Sequence, residues 1–230
     1  MSPFPSPSPG SPTLLLFPTE LEQRRFLDRG ALEPGHALQA VCGFGPVAAA
    51  ARTAHLVATL RPRRVILLGI AGAYDVERHP PGSALVFARV AIEGVGAGEG
   101  ERLVGPRALG FPQWPGSPGT TAAPVDDALD LWRPDRLAPE LRADLLLTTC
   151  AAADDDALVG RRLERHPGAA AEDMEGFAVA LACALEGVPV GIVRGISNRA
   201  GDRDGRHWKI PAALAAARRA LDELLEAAPA

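Results

Sequence analysis

The stretch RRVILLGIAG, residues 63–72, is apolar almost without interruption from Val65 to Ile70, opening on two arginines and closing among glycines. A short apolar run bounded by turn-forming residues reads as a strand buried on both faces, the pattern of a sheet covered by helices. Gly69 and Gly72 are expected to break this strand and leave bare backbone at its carboxyl end.

The flanking segments repeat the theme. TLLLF (Thr13–Phe17) reads as a first strand, and Thr19 caps a helix over TELEQRRFLDRG that Gly30 closes. A short strand over 37–42, a glycine turn and a helix over 46–60 follow. Beyond the central run, GSALVFARVAIEG (82–94) and DLLLTTC (144–150) read as strands, and DDALVGRRLERH (155–166) and EDMEGFAVALACALEG (172–187) as helices. VPVGIVRGIS (188–197) reads as the last strand, ahead of a helix over 211–225. Residues 96–140 are rich in Gly and Pro and receive no element. Alternating strands and helices predict an α/β fold: a single-domain three-layer sandwich over 13–230, with a central mixed, mostly parallel β-sheet flanked by helices. The uncharged, Pro/Ser-rich residues 1–12 are expected to be a disordered tail and not a signal peptide.

Composition narrows the function. A formal net charge of -4 over 230 residues gives no basic footprint for nucleic acid. No run approaches the 18 or so apolar residues that span a bilayer, so a soluble, cytoplasmic protein without a membrane partner is expected. Cys42, Cys150 and Cys183 are widely spaced among apolar neighbours and read as reduced, buried thiols. The five histidines, at 36, 55, 79, 166 and 207, show no ligand spacing, so neither a metal nor a cofactor is expected.

In sheets of this class ligands gather at the carboxyl ends of the strands. Those ends carry Glu20 and Glu22, GFG (43–45), GIAG (69–72), TTCAAA (148–153) and RGISN (194–198). Neither glycine cluster completes a P-loop or a GxGxxG turn. Glu22 has two readings: a capping-box residue returning to the Thr19 backbone N–H, or a carboxylate for catalysis. Glu175 likewise is either a first-turn acid beside Glu172 and Asp173 or an acceptor for the two hydroxyls of a ribose. Periodicity does not separate these readings. Phe177 belongs to an apolar stripe with Met174, Leu181 and Leu185.

AAAEDMEGFAVALACALEGVPVGIVRGISN, residues 169–198, resembles the C-terminal signature of the purine nucleoside phosphorylase and nucleosidase superfamily. GFGPVAAA, RRVILLGIAG and GSALVFARVA are similar to its earlier segments, so the likeness extends from Thr13 onward. Methylthioadenosine/S-adenosylhomocysteine nucleosidases share the general plan. VRGISNRAGDRD followed by Trp208 most resembles the futalosine hydrolase branch, whose members release hypoxanthine from futalosine in menaquinone biosynthesis. The resemblance implies that Glu22 activates water and that Met174 and Glu175, beside Asp173, hold the sugar. Ala71 and Gly72 lie beside base and sugar, and Asn198 faces the purine N7 with Ser197 and Arg194 supporting its loop. It also implies a small nucleoside as partner and a homo-oligomer.

Ala151 to Ala153 stand where adenosine-type nucleosidases of the superfamily place an aromatic, so stacking on the base is expected from Phe177 or from 96–140. An amide at position 198 suits a 6-oxopurine, which presents two acceptors, N7 and O6, where an ionised aspartate would be repelled. The acidic PTELEQRR after the first strand favours water over phosphate as the nucleophile. Arg203 or Arg206 is a candidate for the benzoate of futalosine, with Trp208 as an apolar face; a surface ion network among Asp202, Arg203 and Asp204 is the alternative.

Overall fold

The computed structural model describes residues 10–28, 37–116 and 123–227. Most of the expected tail (1–9), the expected helix terminator Gly30 and His36 lie outside the described residues. The elements are β1 (Thr13–Phe17), α1 (Glu20–Leu27), β2 (Ala37–Val41), α2 (Pro46–Leu60), β3 (Arg64–Ala73), β4 (Ala84–Glu93) and α3 (Pro106–Leu109). They continue with β5 (Ala128–Asp130), β6 (Arg142–Thr149), α4 (Asp156–Arg165), β7 (Ala169–Asp173), α5 (Gly176–Leu185), β8 (Val190–Arg199) and α6 (Ile210–Glu226).

β1 pairs in parallel with β2 and β3, and β3 in parallel with β8. β8 joins β4 antiparallel, β4 joins β6 in parallel, β6 joins β7 in parallel, and β7 returns antiparallel to β3. The mixed sheet therefore curls until β3, β8, β4, β6 and β7 close a ring, with β2–β1 and β5 as extensions. The unbroken apolarity of β1 and β3 follows from this position between two helical layers. Leu14, Leu16, Val65 and Leu67 face the core under α2 and α5, while the alternate residues Leu15, Phe17, Ile66 and Leu68 face the core under α1 and α6.

Three expectations are corrected. β3 does not break at Gly69; its pairing with β8 continues to Ala73, interrupted only by a register shift after Ala71. Residues 172 and 173 do not start the expected helix but end strand β7, because pairing of Ala169–Asp173 with Leu145–Thr148 and with Gly72–Ala73 satisfies their backbone in extended form. The helix begins only at Gly176, whose N–H donates to the Asp173 carboxylate. Cys150 is exposed, whereas Cys42 and Cys183 are buried, and burial pushes the Cys42 thiol up to about 12. The middle segment, without an assigned element in the sequence, contributes β5 to the β4 edge and the short α3.

Helix α6 lies so close to β8 that a Cβ at Gly195 would overlap the Ala213 backbone carbonyl. Gly195→Ala is expected to cost about 1–3 kcal/mol through forced backbone movement. Thermal unfolding should show this as a fall in Tm of about 2–4 °C per kcal/mol; an unchanged Tm contradicts the packing.

Candidate active site

A cavity of about 310 Å³ opens at the carboxyl ends of β1, β3 and β8 and at the turn between β7 and α5. Its walls include Glu22, Ala71, Gly72, Asp173, Met174, Glu175, Ser197, Asn198, Arg203 and Trp208, which brings together ten of the twelve residues selected from the sequence.

Glu22 sits at the third position of α1, and its own N–H donates to the capping Thr19 hydroxyl at 3.2 Å. The second half of a capping box is not made. Instead, Oε2 accepts from the Thr19 hydroxyl at 2.6 Å and Oε1 accepts from the Ile70 N–H of β3 at 3.0 Å. The carboxylate is thus held from two elements and is buried at the cavity wall.

Beneath it lies Arg194 of β8, 0% exposed. Its Nε donates to Asp173 at 3.0 Å, its Nη2 pairs with Asp173 and reaches Glu175 at 3.2 Å. Gly69 makes this possible, since a Cβ there would overlap the guanidinium and press on Glu22 Oε1. Arg194 Nη1 has no hydrogen-bond partner and lies with Glu22 Oε1 against the bare Cα of Gly69. Arg194 therefore supports the acids rather than the Asn198 loop, and it does not itself line the cavity. Asp173 is further fixed by the Thr148 hydroxyl at 2.6 Å, and Glu175 by the Gly45 N–H at 3.0 Å. Gly45 holds φ at 82°, a region in which a side chain is strained. Burial pushes the Glu175 carboxyl up to about 7; Arg194 and the Gly45 N–H oppose the rise, and Asp173 and Glu22 add to it.

The far end is formed by a bulge. Ala71 pairs with Ile196 and Gly72 with Asn198, leaving Ser197 as the extra residue, so that consecutive residues 197 and 198 both reach the cavity. The Ser197 hydroxyl lies 2.7 Å from Asn198 Oδ1, which orients the amide. One amide hydrogen goes to the Arg199 carbonyl at 2.8 Å, while the other reaches the Asp202 carbonyl only at 3.4 Å, a weak contact.

At the mouth, Arg203 lies over Trp208, 5.0 Å from its ring centroid, and both line the cavity. The surface ion network forms without Arg203: Asp204 pairs with Arg206, and Asp202 with His207. Arg206 is not among the cavity residues. Phe177 is also corrected: it is 1% exposed in the core, and neither it nor any described residue of 96–140 lines the cavity. The aromatic walls are Phe44 and Trp208. Phe44, Thr19 and Glu172 were missed as site residues in the sequence, although the glycines around Phe44 marked its turn. Among the described residues no cluster of His, Cys, Asp or Glu is placed to hold a metal ion, and no helix is long and apolar enough to cross a membrane.

Residues 24–228 match the model of the phosphorylase superfamily. A futalosine hydrolase of Streptomyces coelicolor is 36% identical over 187 residues, covering 79% of this chain and 75% of that one. A futalosine hydrolase of Thermus thermophilus is 34% identical over 230 residues, covering 92% and 94%. The solved futalosine hydrolase of Helicobacter pylori, 15% identical, shares the fold with a TM-score of 0.72 over 94% of this chain and 98% of that one. The chain belongs to the phosphorylase superfamily and, within it, to the futalosine hydrolases.

Proposed function

We propose that the protein hydrolyses the N-glycosidic bond of futalosine, releasing hypoxanthine and dehypoxanthine futalosine for menaquinone biosynthesis. The observation that carries the mechanism is Glu22: a buried carboxylate oriented by the Thr19 hydroxyl and the Ile70 N–H, in the same cavity as Asn198. Cleavage places positive charge on the sugar and negative charge on the departing purine, so the site must stabilise both. Glu22 takes a proton from water as it attacks C1′. Glu175 accepts from the ribose hydroxyls while Met174 packs on the ring. The Asn198 hydrogen held only weakly by Asp202 turns to N7 as charge develops on the base.

Water is favoured over phosphate because Glu22, Asp173 and Glu175 share the sugar-side wall, and the guanidinium beneath is already paired with two of them. Arg203, which lies over Trp208 and lines the cavity, is the cation assigned to the benzoate in this reading. Phe44 and Val47, 65% and 83% exposed, form an apolar rim that a second copy of the chain would cover, which supports a homo-oligomer.

The decisive assay is free-base release from futalosine, inosine and methylthioadenosine in phosphate-free buffer. Hypoxanthine release from futalosine and none of adenine from methylthioadenosine is expected; dependence on added phosphate defeats the hydrolase reading. Glu22→Gln should lose on the order of 10² to 10⁴ in kcat, as for a general base, and a fully active variant returns Glu22 to a structural role. Arg203→Ala should raise KM for futalosine and leave inosine unaffected; equal effects on both would remove Arg203 from benzoate binding.

The raised Glu175 carboxyl gives opposite trends with pH. Its charge, needed to accept hydroxyls, is lost as pH falls below about 7, so KM should rise on the acid side. Stability runs the other way: a carboxyl raised in the folded state contributes fully below its ordinary value of 4.5 and loses that contribution as pH climbs through about 7. Glu175→Gln should flatten both profiles, measured by KM and by Tm between pH 5 and 8. A variant with the wild-type slopes contradicts the assignment.

A further inference from the structure

Glu172, which the sequence suggests to be a first-turn acid, stands on β7 at the opposite side of the cavity's far end from Asn198. The register puts it there: Gly72 of β3 pairs with Asn198 on one side and with Glu172 on the other. Residues paired directly across strands project to the same face, so Asn198, Gly72 and Glu172 form one row. The middle member has no side chain, and the Asn198 amide leans over it: a Cβ at Gly72 would meet Nδ2 at 3.4 Å. With adjacent strands about 4.8 Å apart, the outer two residues are on the order of 10 Å from each other. That is room for the edge of a bicyclic base with a hydrogen bond of about 2.9 Å at each side.

The donors around Glu172 decide what it offers. Oε2 accepts from Arg162 Nη1 at 2.6 Å and from the Tyr74 hydroxyl at 2.8 Å. Oε1 accepts from the Ala153 N–H at 2.7 Å and retains one acceptor site. Arg162, itself held on the Ala151 carbonyl at 2.8 Å, pairs with the carboxylate and fixes its position. The Ala153 N–H, a backbone donor at this corner, is consumed by the same carboxylate. Glu172 is 4% exposed and lines the cavity, so this corner presents an acceptor.

We infer that Glu172 accepts the N1–H of a 6-oxopurine and, with Asn198 donating its one weakly held amide hydrogen to N7, makes the cavity selective for the lactam form of the base. The inference rests on the proposal that the cavity takes a purine nucleoside. A 6-oxopurine carries an acceptor, N7, at one end of this edge and a donor, N1–H, at the other, and the row meets them with the Asn198 donor and the Glu172 acceptor. A 6-aminopurine turns an acceptor N1 toward the carboxylate, leaving two buried acceptors facing each other. Glu172 is a specificity-determining residue in this scheme and takes no part in bond cleavage.

The experiment is direct binding of hypoxanthine, 1-methylhypoxanthine and adenine to the wild-type protein and to Glu172→Gln, by calorimetry, beside futalosine turnover and Tm for both. The wild-type protein should prefer hypoxanthine over adenine by on the order of 10² or more, and Glu172→Gln should cut that preference at least about tenfold, the effect of one hydrogen bond to a charged group. An equal loss of affinity for both bases makes Glu172 a structural anchor for Arg162 and overturns the inference. Should Glu172→Gln fail to fold, the wild-type protein alone decides: 1-methylhypoxanthine keeps N7 and O6 but lacks the N1–H, and must bind at least about tenfold more weakly than hypoxanthine. Equal affinity, or no binding of any base, overturns the inference. Selective hypoxanthine binding without turnover of futalosine supports Glu172 while refuting the hydrolase reading.

Discussion

The site depends on a buried guanidinium. Arg194 lies in the middle of β8 with no solvent contact, and it is tolerable there only because Asp173 and Glu175 neutralise it. An unpaired ion at that depth would cost several kcal/mol, on the order of the whole stability of a domain. The dependence is mutual. Asp173 and Glu175 are themselves buried, and with Glu22 they would repel one another without a cation between them. Gly69 supplies the space for the guanidinium, and the N–H groups of Ile70, Gly45 and Gly176 each take one of the three carboxylates.

This arrangement separates tasks that similar side chains might otherwise share. Asp173 is saturated by Arg194, Thr148 and the Gly176 N–H, and it acts as the anchor that ties β7 to α5. Glu175 keeps a raised carboxyl and accepting capacity toward the cavity. Glu22 is held by neutral donors, a hydroxyl and a backbone amide, which fix its orientation at the cavity wall. The closed ring of strands matters here because it brings β7 and β8 to either side of β3, so that residues distant in the chain meet across a single row.

Much of this was legible before any coordinates. The strands Thr13–Phe17 and the run through Val65, and the helix Pro46–Leu60, carry local signals strong enough to place them: apolar runs, a proline at a helix start, glycine turns. Glu22, Met174, Glu175 and Asn198 were identified through resemblance, and the fold brings them to one cavity. Less legible were residues whose role depends on partners far away in the chain. Residues 169–173 are alanines and acids with no strand propensity of their own, and only pairing with β3 and β6 makes them extended. For a similar reason Phe177, expected against the base, lies in the core, and Phe44, given no role in the sequence, lines the cavity. A helical stripe says that a residue is buried but not whether it meets ligand or core, and a turn aromatic carries no sign of the cavity it overhangs.

The order of strands and helices, the double burial of the central strand and the acidic character of the first strand's exit were determined by the sequence itself, since each follows from residue periodicity over a few turns. Which carboxylate faces a ligand and which is consumed by a neighbour was decided only in three dimensions. Glu22, Glu172, Asp173 and Glu175 are chemically alike and close in type to any first-turn acid. What distinguishes them is the donor each one meets, and those donors lie on other strands, brought into register by the bulge at Ala71 and Gly72 and by the curl of the sheet.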